Sequence, residues 1–386
     1  IRVALIQMLA QNQEFEGALE ELHELRRATE SNPPMIQLEA QILQSMDRGE
    51  EALKTLRNGV KRFEDNKRLR LSYARLLIEH EDFSAAQRQF QVMIEQDPQD
   101  WDTQYSVALL DLEMENWDDA AKIFIRLIGV DQRTDESQYY LGFLYQQQEK
   151  LARSVEHFRQ VRIGTNNFLA AQQQATRLSI QLGDLDDAHQ WLSRLSRGQP
   201  QLEILLTTIE SNLLIQAEHG DNAKSLLDRA LNKYPNETDL LFARVLFYDS
   251  VVDRAGSEAD LQQIISMKPD DSQALNHLGY MLVDQTTRFD EGLELLERAI
   301  AIAPDEPAII DSLAWAQYKL GRYEEALQNL RRAFAVFPDH EVASHLGEVL
   351  WMMGRKEEAS AVWQDALQDT PDSDLIREVL ERFQAK

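Results

Sequence analysis

The 386-residue chain carries 40 basic and 66 acidic side chains, a formal net charge of −26, with 43% hydrophobic residues, 15 glycines, 10 prolines and no cysteine. A charge of that sign repels phosphate backbones and anionic bilayers, which disfavours nucleic-acid binding and simple adhesion to an acidic membrane. The missing thiols remove disulfides, thiolate metal sites and a cysteine nucleophile, and sparse Gly and Pro beside plentiful Leu, Ala, Glu, Gln and Arg point to a mostly helical fold.

The chain opens IRVALIQMLA, already in helical pattern and without a methionine. This opening is neither a signal peptide nor a membrane span, and no later apolar stretch is long enough to cross a bilayer. It is read as the inside of a first helix, with further sequence expected upstream. From there one pattern recurs, a small residue followed four positions later by a large apolar one. The pairs are Ala18/Leu22, Ala52/Leu56, Ala86/Phe90, Ala120/Phe124, Ser154/Phe158, Ala188/Leu192, Ala223/Leu227, Ser257/Leu261, Gly292/Leu296, Ala326/Leu330 and Ala359/Trp363. Successive small positions lie 34, 34, 34, 34, 34, 35, 34, 35, 34 and 33 residues apart. Positions i and i+4 share a helix face, so each pair is a notch beside a knob, which lets a neighbouring helix approach closely.

A period of 34 with these letters resembles the tetratricopeptide repeat, whose motif reads W-x2-L-G-x2-Y, then A-x3-F, then P. QYYLGFLY supplies Leu141, Gly142 and Tyr145 ahead of Ser154 and Phe158, and LNHLGYML supplies Leu278 and Gly279. ASHLGEVL supplies Leu346, Gly347 and Leu350 ahead of Ala359, Trp363 and Pro371. In LGRYEEALQNLRRAFAVFP, Gly321 and Arg322 make a turn, Ala326, Leu330 and Ala333 share a face, and Pro338 ends the helix. The resemblance implies an all-α, right-handed superhelical solenoid of about eleven helix-turn-helix units with a C-terminal capping helix.

Three segments are expected within it. Residues 1–200 form a divergent array whose first repeat is incomplete, because Leu25, Gly59, Met93, Leu127, Val161 and Leu195 stand where the tenth copy has Ala333. Residues 201–371 form a more regular array, although FYDSVVDRAGSEADLQQI, with Ser257 in place of Ala, is a candidate kink and the turn DQTTRFD has one extra residue. Residues 372–386 form a cap, with Leu375, Ile376, Val379, Leu380 and Phe383 on one stripe and charges opposite.

Catalytic, metal and cofactor chemistry is not expected. HEVASH resembles a zinc-protease HExxH, but His340 and His345 are five apart and diverge by about 140° on a helix. No phosphate-cradling glycine loop and no nucleophile elbow occurs.

In the family, the first helix of each unit lines the concave wall. The matching phases place Leu71, Arg75, Tyr105, Tyr139, Phe143, Arg177, Phe242, Asn276, Tyr280, Asp311, Trp315 and Trp351 there as partner-binding candidates. Aromatic and Arg anchors suit partner binding because they bury large area at low entropy cost. Some tetratricopeptide co-chaperones grip a peptide carboxylate with Lys or Arg and Asn partners in two successive first helices. Here those phases hold Gln37 and Gln41, Leu71 and Arg75, Tyr105 and Leu109, and Tyr139 and Phe143, so a chaperone-tail receptor is disfavoured. Against the acidic total, RNGVKRFEDNKRLRLSYAR gathers Arg57, Lys61, Arg62, Lys67, Arg68, Arg70 and Arg75, a candidate docking patch for an acidic partner.

Finally, the run from Ala274 to Phe334 resembles the tetratricopeptide lipoproteins of Gram-negative cell envelopes, and the chain as a whole resembles those among them that partner a periplasmic carboxyl-terminal processing protease. That resemblance implies a chain facing the periplasm from the outer membrane, held by a lipidated Cys upstream. It would bind the protease and deliver peptidoglycan hydrolases to it. An assembly factor for a pilus or outer-membrane machine, or the regulatory arm of an enzyme, are the alternatives.

Overall fold

The notch-and-knob pairs decide how the helices meet. All eleven small positions and all eleven large ones are buried, with Ala18, Ala52, Ala86, Ala120, Ala326, Phe124, Leu227 and Trp363 at 0% exposure. The computed structural model describes residues 2–30 and 32–384, and among them the regular structure is helical throughout. The chain divides into two compact units, residues 1–184 and 185–386.

The first unit holds α1 (Arg2–Gln11), α2 (Phe15–Ala28), α3 (Pro33–Ser45), α4 (Gly49–Arg62), α5 (Lys67–Glu79), α6 (Phe83–Gln96), α7 (Trp101–Glu113), α8 (Trp117–Gly129), α9 (Thr134–Gln147), α10 (Leu151–Arg159) and α11 (Phe168–Gln181). The second holds α12 (Leu185–Leu195), α13 (Pro200–Gln216), α14 (Gly220–Lys233), α15 (Thr238–Ser250), α16 (Arg254–Met267) and α17 (Ser272–Gln285). It continues with α18 (Phe289–Ile302), α19 (Pro307–Lys319), α20 (Tyr323–Val336), α21 (His340–Met352), α22 (Lys356–Asp369) and α23 (Asp374–Gln384). Within each unit, odd-numbered helices pack along the even-numbered helix that follows, and even ones pack on the next odd helix. The notches and knobs all lie on even helices, the second of each pair.

Local chemistry sets where these helices start and stop. Asn32, Asn66, Asp82, Asp100, Asp253 and Asp271 each accept, through the side chain, the backbone N–H three residues on, satisfying a donor the helix leaves open. Between the helices of a pair the chain turns through one left-handed residue at the same phase. These are Gln13, Asp47, Glu81, Glu115, Glu149, Gly183, Glu218, Val252, Gly321 and Gly354, with φ between 57° and 84°. Only three are glycine, so the close of each hairpin, rather than the residue type, imposes this backbone. The ninth turn, with its extra residue, is built differently, and Thr286 Oγ1 accepts the Arg288 amide at 3.0 Å.

Where helices of a pair touch, the Leu-Gly motif supplies the clearance. A Cβ on Gly279 would lie 2.7 Å from Leu296 Cγ and 3.0 Å from the Gly292 carbonyl. One on Gly347 would overlap the Trp363 indole, itself fully buried. Ser257, the unusual notch, is also fully buried and donates to Asp249 at 2.9 Å, while α16 runs unbroken through it. At the C-terminus α23 lies on α21 and α22, burying Ile376, Val379 and Phe383, whereas Leu375 of the same stripe stays 38% exposed.

Candidate partner-binding surface

The first helices of successive pairs carry the twelve wall candidates, and the two units treat them differently. In the first unit, Leu71 packs on the core while Arg75 and Arg177 are exposed. Tyr105 meets Phe124 and Tyr140 edge-on at 6.1 and 6.2 Å, with the Arg133 guanidinium 5.1 Å over its ring. Burial raises its hydroxyl above the ordinary tyrosine range, and Tyr140 adds to this. Tyr139 sits edge-on to Tyr140 and Phe158 at 5.5 and 5.7 Å. Phe143, one turn on, is 42% exposed. These rings pack on one another and leave Phe143 as the open face.

The basic stretch is partly used internally. Arg70 is buried and donates to Gln89 at 2.9 Å and to the Glu64 carbonyl at 2.8 Å. Burial lowers its pKa, although Glu64 and Asp65 oppose this. Lys67 reaches across to Asp100 at 2.6 Å, and Arg57 donates to the Tyr73 hydroxyl at 3.1 Å. Burial would raise the Asp100 carboxyl, but Lys67 and Thr103 donate to it and hold it below its usual range. Lys61, Arg62 and Arg68 remain exposed, with the Arg62 guanidinium 5.4 Å over the Phe63 ring.

In the second unit Phe242 is half-buried against the core, and Trp351 lies 5.9 Å from Trp363 and 5.8 Å from Phe383, with Lys356 Nζ 4.5 Å over its ring. Asn276 and Tyr280 on α17 and Asp311 on α19 come together around one cavity of about 380 Å³, to which α15 and α21 supply further walls. Its lining also includes Asp249, His277 and, from the α20–α21 junction, Phe337, Asp339 and Glu341. Phe337 is 56% exposed, and Tyr280 donates to Glu341 at 3.3 Å. Burial drives the Tyr280 hydroxyl far above its ordinary range, reinforced by Asp284, Glu341 and Asp311.

Trp315 does not face this cavity. It is 5% exposed, donates to Asp284 at 3.0 Å and stacks on the His345 imidazole with centroids 4.0 Å apart. His345 Nδ1 lies 2.9 Å from Asp311 Oδ2, both groups buried. Burial opposes charge on this imidazole, but the Asp311 hydrogen bond and the charges of Asp311, Glu341 and Glu348 outweigh it and raise its pKa. The second histidine of HEVASH is thus held by a carboxylate of the preceding repeat, while His340 opens α21. Among the described residues no group of three His, Asp or Glu side chains is placed to hold a metal ion.

Phe337, Asp339 and Glu341 are absent from the sequence-derived candidates, because Pro338 marks this stretch only as a helix end. A signal was available in the repeat register, where Phe337 stands at the phase that holds Ala303 and Thr370 in the neighbouring copies. The Asp311–His345 contact was equally legible, since the two residues are 34 positions apart, one full repeat.

Comparison with known proteins agrees with this architecture. A family model described as tetratricopeptide repeat matches residues 43–110, 285–340 and 317–382, and a second of the same description matches 253–307. The chain is 38% identical over 311 residues to the TPR repeat-containing protein PA4667 of Pseudomonas aeruginosa, covering 81% of this chain and 52% of that protein. It therefore spans about half the length of that relative. Among solved structures it is similar to yeast Tom70 at 12% identity, over 100% of this chain and 95% of that one, with a TM-score of 0.46. It is also similar to PilW, a type IV pilus biogenesis factor, at 18% identity over 47% of this chain and 88% of that one, with a TM-score of 0.41. With the 34-residue period, the buried notches and knobs and the matched repeats in agreement, the chain belongs to the tetratricopeptide repeat proteins, whose repeats build scaffolds for protein–protein interaction.

Proposed function

We propose that this chain is a non-catalytic adaptor that brings a periplasmic carboxyl-terminal processing protease together with peptidoglycan hydrolases and promotes their proteolysis. The observation that carries the binding part is the cavity in the second unit. Unlike side chains from successive first helices converge there, and an aromatic ring stands 56% exposed beside it. An aromatic ring at the edge of a polar cavity buries large area at low entropy cost when a partner covers it. The identity of the partners rests on the resemblance of the whole chain to envelope lipoproteins that partner such a protease, which also favours the periplasmic face of the outer membrane as the working location.

Proximity is sufficient as the mechanism. An array with several binding surfaces holds enzyme and substrate together and raises the effective concentration of one near the other without altering the protease's chemistry. Reconstituted proteolysis tests this. With the chain added to a carboxyl-terminal processing protease and a peptidoglycan hydrolase, cleavage should accelerate at least tenfold at sub-micromolar substrate. The gain should fade as substrate concentration rises. Unchanged cleavage with no co-purification would remove the adaptor reading, and co-purification without acceleration would favour an assembly factor.

A further inference from the structure

The cavity of the second unit has a charge and hydrogen-bonding character that selects its ligand, and the inference here rests on the scaffold reading above. Four carboxylates line it, Asp249, Asp311, Asp339 and Glu341, with no Lys or Arg among the lining residues. Two of the four are answered internally. Asp249 lies 2.7 Å from His277 Nε2 and accepts from Ser257, and Asp311 is taken by the buried His345. The other two have no ion-pair partner among the described residues.

Asp339 uses one oxygen to cap α21, accepting the Glu341 amide at 2.8 Å, and its second oxygen is uncommitted. Glu341 is exposed and receives only the Tyr280 hydroxyl. Both stand at the N-terminal end of α21, where the helix dipole is positive. The Oδ1 of Asn276 is buried and receives no hydrogen bond at all. The unpaired charges on this wall are therefore all negative, and its one buried atom without a partner is an acceptor. Met281, Ala308 and Val342 supply apolar surface between them, and the Tyr280 and Phe337 rings add π faces.

We propose that this cavity takes a donor-only cation, the side chain of an arginine or lysine carried by an extended segment of a protein partner. A guanidinium offers five N–H donors and no acceptor, so it can answer the Asp339 and Glu341 carboxylates together, and its flat face suits the neighbouring rings. A partner carboxylate would meet four like charges and no donor cation other than histidine, so the cavity rejects acidic tails. The selection is opposite in sign to that of a carboxylate grip.

The test is isothermal titration calorimetry of the 386-residue chain with three blocked twelve-residue peptides. They are identical except for a central Leu-Arg, Leu-Gln or Leu-Glu. At low salt the Arg peptide should bind at least tenfold more tightly than the Gln peptide, and the Glu peptide not measurably. In an Asp339→Asn, Glu341→Gln double variant, which keeps the helix cap, the Arg preference should vanish while the circular dichroism spectrum and thermal midpoint stay put. Phe337→Ala, at an exposed position, should weaken the Arg peptide several-fold and serves if the double variant unfolds. Equal binding of the Arg and Gln peptides, or an Arg preference that survives in the variants, overturns the proposal. Capture of protease and hydrolase, measured beside it, separates the two readings. Capture without Arg preference removes only the cation site, and Arg preference without capture removes only the adaptor.

Discussion

His345 is held between a carboxylate and an indole, each contributed by α19 of the preceding repeat. Its pKa is raised because the Asp311 pair outweighs the burial that opposes charge. The stabilisation from this imidazolium is complete below the unfolded value of about 6.5, and it is lost as pH rises through the higher folded value. His345→Gln should therefore cost about 3–5 kcal/mol at pH 5.5, where Asp311 would be left buried without its cation. The cost should be smaller at a pH above the folded value, where the wild type has surrendered the same charge. Thermal midpoints of both proteins across that range decide it, and a pH-independent difference would show that the pair is not ionised. At this scale the sequence was half legible. The phase placed Asp311 and Trp315 on an inward helix, but whether an inward side chain stays open depends on its neighbour one repeat away. Trp315 is closed off by His345, while Phe337 stays uncovered.

Each helical pair depends on small residues where its helices cross. Gly347 is the clearest case, because any side chain there would occupy the space of the Trp363 indole, which is fully buried and anchored by a hydrogen bond to the Ser344 carbonyl at 3.3 Å. Gly347→Ala should cost about 1–3 kcal/mol by overpacking. Because repeats stabilise chiefly their neighbours, the accelerated hydrogen exchange should be concentrated in α21, α22 and α23 and leave the first unit unchanged. Uniform acceleration along the chain would contradict a nearest-neighbour array. Elements were the most legible feature of the sequence, since notch, knob and turn recur at one period that stacking itself imposes. Less visible was the ninth turn, where the extra residue in DQTTRFD replaces a left-handed position by a threonine hydroxyl contact.

Across the whole chain, 26 net negative charges and two compact units make stability a distributed property. Helices contact mainly the helices next in sequence, so opening one pair does not require opening a distant one. Urea unfolding followed by segment-resolved hydrogen exchange should give different midpoints for residues 1–184 and 185–386. A single shared midpoint would demand strong coupling along the entire array. The period disclosed the repeat count and fold class, whereas the partition at residue 184 has no marker in the letters, falling inside a repeat after Gly183.

The recurring left-handed turn also bears on how such a chain is made. Each turn joins two helices whose contacts close within about one repeat, so a hairpin needs only some 34 residues outside the ribosome to find its partner. Emerging at about 5–20 residues per second, one pair is complete every few seconds, long after its helices have formed. The growing chain can bury each notch in order as it appears, and its exposed apolar surface at any moment is little more than the latest unpaired helix.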